Sequence, residues 1–99
     1  MARPSVEFHA DARAEYVAAI EWYRKRSPRA ARNFEAEFSQ AIEQICKSPE
    51  SWSVYVKGCR RFLLHQFPFQ IVYQSSADII FILAVAHTHR TPGYWRARL

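Results

Sequence analysis

The residues best suited to chemistry gather late in the chain. They are His65, His87, His89, Arg90 and Tyr94, with Lys57, Arg60 and Arg61 near them in sequence. Such a set can cleave a phosphodiester without a metal. A base takes the proton from a ribose 2′-hydroxyl, an acid protonates the leaving oxygen, and Arg or Lys stabilises the charge gathering on the phosphate. Histidine suits either proton-transfer role near neutral pH, and Tyr94 or Trp95 can stack on a base. Each residue also has a blander reading. His65 can be a surface residue on a half-exposed strand, His87 can end its strand, Arg96 and Arg98 can be solvated, and Tyr94 and Trp95 can fold back over the sheet. His87 and His89 would share one face of a continuing strand, but only Asp78 and Glu50 are near them in sequence as carboxylates. Such a set argues against a metal site. There is no Gly-rich phosphate loop, no GxSxG and no HExxH, so neither metal nor cofactor is expected.

The charge balance points the same way. The net charge is +5, and residues 50–99 hold six Lys/Arg against two Asp/Glu, while residues 1–49 hold eight against seven. A basic second half suits an anionic partner such as RNA or an acidic protein segment. A second basic feature is Arg24-Lys25-Arg26 with Arg29 and Arg32, read as a solvated helix junction whose charge complements a helix dipole. Cys46 and Cys59 fit no zinc or CxxC spacing and are expected as reduced thiols. The start, MARPSVEF, has no signal-like apolar region, and the longest apolar run, 79–86, is too short to span a bilayer. A cytoplasmic protein that avoids membranes is expected.

Residues 1–99 are read as one domain, long enough to bury a core. Ser5–Phe8 alternates as a short strand. Asp11 is placed to cap a helix running to about Arg26, with Ala12, Tyr16, Ala19, Ile20 and Tyr23 on one stripe and Trp22 off it. Ser27-Pro28 opens a second helix, as N-cap and first helical residue. It runs to about Lys47 on Ala31, Phe34, Phe38, Ala41, Ile42 and Ile45, and Ser48-Pro49 stops it. Two helices joined this tightly form an antiparallel hairpin. Strands follow over Cys59–Gln66, with Arg60, Phe62 and Leu64 on one face and Arg61, Leu63 and His65 on the other. A turn at Phe67-Pro68, a strand over Phe69–Gln74, a turn over Ser75–Asp78 and a last strand over Ile79–His87 complete the pattern. The last strand is apolar on both faces, hence near the sheet centre. The fold class is α+β: a helical hairpin packed on an antiparallel sheet, in the order β-α-α-β-β-β.

With these residues placed, the chain resembles a RelE/ParE-type toxin of bacterial type II toxin–antitoxin systems. The resemblance rests on the helix pair joined at Ser27-Pro28, on Arg60-Arg61-Phe62 and Phe69-Gln70-Ile71-Val72-Tyr73, and on Ile82–His87 followed by Arg90 and Tyr94. It implies a growth inhibitor neutralised by a cognate antitoxin that wraps around it. Trp22, Trp52 and Trp95 are the candidate antitoxin contacts, since large aromatics outside a core stripe are common anchors. The superfamily splits by mechanism. RelE-like members cut message in the ribosomal A site without metal, and that reading implies His65, His87, Arg90 and Tyr94 as the catalytic set. Lys57, Arg60, Arg61, His89, Arg96 and Arg98 would then bind RNA or another target. ParE-like members bind DNA gyrase. Tyr94 matches the C-terminal tyrosine of the RelE type, but His65 and Thr88 stand where that type has arginines. The second helix, of about 20 residues, is more ParE-like. The gyrase reading is therefore preferred, with the ribosome-dependent nuclease as its alternative and a non-toxic partner-binding module as a third.

Overall fold

The computed structural model describes residues 3–56 and 58–99. Lys57, a candidate target-binding residue, lies outside the described residues.

The chain opens with β1 (Ser5–Phe8) and runs directly into α1 (Ala10–Arg26). His9, not Asp11, caps α1: its Nδ1 accepts from the Asp11 amide at 3.0 Å. The helix thus starts a residue before Asp11, which instead places its charge in the first turn, where the positive helix pole favours it. Ser27 serves both helices. Its amide donates to the Tyr23 carbonyl at 2.7 Å, ending α1, and its hydroxyl accepts from the Ala30 amide at 3.2 Å, starting α2 (Pro28–Lys47). A one-residue connection forces the helices back on each other. Ala31, Phe34, Phe38, Ala41 and Ile45 of α2 are buried in the core, against Ala12, Ala19 and Ile20 of α1.

Four more strands follow: β2 (Ser53–Val54), β3 (Arg60–Leu63), β4 (Phe69–Ser76) and β5 (Ile79–His87). The sheet order is β1-β5-β4-β3-β2, with β1 parallel to β5 and every other pair antiparallel. The α+β hairpin-on-sheet reading holds, with one strand more than the sequence pattern gave. The two-residue β2 is too short to leave an alternation. The β3 strand is shorter than 59–66, and β4 runs on to Ser76, so the following turn is only Ala77-Asp78.

Both sheet faces are covered. The helices pack on Phe62, Leu64, Ile71, Tyr73, Ile80, Ile82 and Val85. The far face carries Cys59, Val72, Leu83, Ala84 and Ala86, covered by Trp95 from the C-terminal segment. A bulge in β5 opposite Val72/Tyr73 makes Leu83 the extra residue: Tyr73 pairs Ile82 and Val72 pairs Ala84. Leu83 and Ala84 therefore both face outward, and the alternation beyond them is inverted. Among the described residues no helix is long and apolar enough to cross a membrane.

Candidate functional site

The β5 bulge decides where the candidate residues go. Ile80 and Ile82 face the helices before it; Val85 does so after it, and His87 follows Val85 by two. His87 is paired with Phe69, and their rings meet edge-on at 5.2 Å, on the helix side. The bulge thus turns the His87 ring toward Phe69, while the residue, at the end of its strand, still borders the depression that Tyr94 and Arg61 line. His65 is also on the helix side but elsewhere. Glu37 of α2 accepts from the His65 and Gln66 amides, and His65 borders a depression with Asn33, Ala36 and Gln40 of α2. His65 and His87 line no common cavity.

His89 folds back on His87. Its amide donates to His87 Nδ1 at 3.1 Å, and the rings stand 5.1 Å apart. Arg90 lies at the rim between two depressions and stacks over the Tyr94 ring at 4.0 Å. On the outer face, Arg61 stacks over Tyr55 at 4.5 Å. Arg61, Gln70, Arg90 and Tyr94 line one polar depression of about 190 Å³, and His87 borders it as well. Arg60 faces the other way and is engaged structurally, donating to the Trp52 carbonyl at 2.7 Å. Arg96 is exposed.

Tyr94 and Arg98 meet at a residue the sequence did not single out. Glu15 of α1 reaches the edge of β5 just beyond the point where β1 stops. Its Oε1 accepts from the Val85 amide at 3.0 Å and from Arg98 at 2.9 Å; its Oε2 accepts from Arg98 at 2.9 Å and from the Tyr94 hydroxyl at 2.6 Å. Arg98 also donates to the Leu83 carbonyl at 2.9 Å. A bidentate ion pair therefore stands in for the missing neighbour strand, satisfying backbone groups at an edge that would otherwise be bare. It also ties the C-terminal segment to α1. Burial works to raise the Glu15 pKa, but hydrogen bonds from Arg98, Tyr94 and the Val85 amide outweigh it and hold the carboxyl below its ordinary value. The Tyr94 phenol is pushed up by burial and by its bond to the Glu15 carboxylate, so at neutral pH it is a donor, never a phenolate.

The three tryptophans separate. Trp95 is 1% exposed and packs among Cys59, Val72, Leu83 and Ala86; it is a core residue, which corrects its reading as a surface anchor. Trp52 is half-buried, edge-on to Phe62 at 4.6 Å, with its indole N–H directed at the Gln44 carbonyl. Trp22 is 52% exposed. It borders a largely apolar groove of about 410 Å³ between α1 and the end of the sheet, with Ala18, Tyr23, Pro68, Phe69 and Val85, and with His87 and Arg90 at its rim. Among the described residues no His, Cys, Asp and Glu side chains gather as metal ligands would.

The sequence pattern of the ParE toxin of the type II toxin–antitoxin system parDE matches residues 6–92. The chain belongs to the ParE toxin family. That match spans both helices, the five strands and the His87–Arg90 corner, and stops before Tyr94 and Arg98. The fold is similar to that of a solved chain from the chromosomal ParDE toxin–antitoxin system of P. aeruginosa. The TM-score is 0.73 and the identity 18%, over 86% of this chain and 96% of that one. It is similar too to an arginine-substituted mutant of the E. coli toxin RelE in the free state, with a TM-score of 0.66 and 16% identity over 99% of both chains. At these identities the likeness is one of fold. No curated protein is matched by the sequence. The ParE and RelE likenesses together place the chain in the RelE/ParE superfamily of toxins, as its residue pattern implied.

Proposed function

We propose that this ParE-family chain inhibits growth by binding an essential protein target, DNA gyrase, and not by cutting message. The observation that carries this reading is the incompleteness of the nuclease set: His87, Arg90 and Tyr94 border one depression, but His65 lines other depressions and the Tyr94 hydroxyl is already taken. His65 sits beside α2, His87 packs on Phe69 on the helix side, and the Tyr94 hydroxyl is engaged by Glu15. Concerted acid–base cleavage needs its acid and base within hydrogen-bond reach of one phosphodiester. The match to the ParE family supports the same choice.

A cognate antitoxin would cover the groove beside Trp22. The solved likeness to a chain of a ParDE toxin–antitoxin system supports such a partner. The groove floor is apolar and its rim carries His87 and Arg90. A segment with apolar anchors and flanking carboxylates matches that surface. Both partners would be met in the cytoplasm.

Purified toxin should inhibit gyrase supercoiling and leave ribosome-bound message intact in primer extension. Undisturbed supercoiling at large molar excess would remove gyrase as the target. One feature favours the nuclease alternative: His87 joins Arg61, Gln70, Arg90 and Tyr94 in lining a single depression. If A-site cuts do appear, and Tyr94→Phe or His87→Ala abolishes them, the nuclease reading replaces the first.

A further inference from the structure

The end of the helical hairpin has no part in the site described above. Residues 24–32 carry Arg24, Lys25, Arg26, Arg29 and Arg32, and residues 22–34 contain no carboxylate. Only Arg24 has an acidic partner, Glu21, one turn back. Arg26 donates to the Trp22 carbonyl at 3.0 Å and lies 3.7 Å over the Trp22 ring. Lys25, Arg29 and Arg32 are exposed, and among the described residues none has an ion pair or hydrogen bond from its side chain. Arg29 and Arg32 are three apart on α2 and so lie on one side of it. A solvated junction needs no such concentration of one sign, which raises the local potential and self-repels.

We propose that this hairpin end is a docking surface for the phosphate backbone of a nucleic-acid duplex. Guanidinium groups dominate it, and their forked donors match phosphate oxygens. Phosphate contacts need no apolar centre, and the outward side of α2 offers no large apolar side chain: Pro28, Arg29, Arg32, Asn33 and Ala36 are its exposed residues there. An acidic protein partner would need such a centre for a stable interface, and the nearest exposed ring, Trp22, lies on α1 with one face covered by the Arg26 guanidinium. Trp22 joins this surface to the groove rimmed by Arg90. The inference is independent of the toxin's target, because it rests on residues outside the Glu15 clamp and the outer-face depression.

The test is fluorescence anisotropy of the purified chain with a labelled DNA duplex of about 20 base pairs, across about 50–200 mM salt. Three unpaired cations on three phosphates predict a log–log salt slope near −2.7, or about a 40-fold loss of affinity over that range. The triple variant Lys25→Gln, Arg29→Gln, Arg32→Gln should lose that slope and still unfold at the parent's temperature. A control triple, Arg3→Gln, Arg13→Gln, Lys47→Gln, removes the same charge at exposed positions elsewhere and should bind within about twofold of the parent, because phosphate contacts act locally. An RNA duplex bound with the same slope supports the same surface. Absence of salt-dependent binding overturns the proposal. So does equal weakening by the two triples, or polyglutamate bound as tightly as DNA and lost in the same variant.

Discussion

Replacing Glu15 with Gln tests whether the C-terminal segment is held by a clamp or merely rests on the sheet. The carboxylate accepts four hydrogen bonds, two of them from Arg98, and the two side chains are only 17% and 13% exposed. An amide of the same shape keeps one acceptor, which can still serve the Val85 amide and one Arg98 nitrogen. Its NH2 then faces the other Arg98 donor and repels it, and Tyr94 must reverse its hydroxyl. One charge-assisted bond is lost, at about 1.5–3 kcal/mol, and the guanidinium keeps a partly buried charge without its counter-ion. Since the pair is not fully buried, the lower part of the range for a broken buried pair applies, and the expected cost is about 2–3 kcal/mol. For a chain of this size that lowers Tm by about 10–20 °C, read by circular dichroism with urea unfolding alongside. Arg98→Met alone should cost a similar amount, and the double variant should cost less than the sum. A loss below about 0.5 kcal/mol for Glu15→Gln, or additive losses, would refute the clamp.

The same carboxylate fixes the pH dependence. Its folded pKa is depressed, so its contribution is fully present above the unfolded value near 4.3 and is lost as pH falls through the folded value. Glu15→Gln has no proton to bind there. The stability gap between parent and variant should therefore hold from neutral pH down to the ordinary carboxylate range and narrow below it.

Three further outcomes follow from burial and backbone geometry. Trp22→Ala, at an exposed position, should change stability by less than about 0.5 kcal/mol, yet weaken antitoxin binding at least tenfold, about 1.4 kcal/mol, in calorimetric titration. Trp95→Ala should cost about 3–5 kcal/mol in urea unfolding, because its fully buried ring fills the centre of the outer-face cluster and the rings around it, Tyr55, Phe81 and Tyr94, are only partly buried. Gly93→Ala and Gly58→Ala should cost nearly the same, about 1–2 kcal/mol each. Both residues have positive φ, 81° and 76°, and the added methyl at Gly93 meets only the side chain of exposed Arg96, which can swing away.

The parts legible in the sequence were those set by local rules. The Ser27-Pro28 junction and the stripe from Ala31 to Ile45 give α2 directly, because capping and helical spacing act within a few residues. The apolar run of β5 marks a strand covered on both faces. What escaped depends on distant partners. The parallel pairing of β1 with β5 joins Ser5 to Ile79 and leaves no local trace. Glu15 and Arg98 are 83 positions apart, and nothing about either residue announces the other. The cap shifted from Asp11 to His9 because a histidine Nδ1 can accept as a carboxylate does, a choice that propensity ranks poorly. The bulge at Leu83 mattered most for the site. Alternation counted without it places His87 on the wrong face, and no glycine marks the inserted residue.

The bulge and the clamp also change what the basic second half of the chain means. Of its six Lys/Arg, Arg98 is neutralised by Glu15 and half-buried Arg60 holds the Trp52 carbonyl. Arg61 and Arg90 lie over tyrosine rings, and Arg96 is exposed. The first half is nearly balanced by count, yet Glu15 and Glu37 are turned inward to Arg98 and to the β3–β4 turn. These two carboxylates thus answer a charge and amides of the second half, while Lys25, Arg29 and Arg32 stand with none beside them. A tally by sequence half locates the excess charge in the C-terminal segment. The folded chain displays its least compensated charge at the other end of α1, where the hairpin turns.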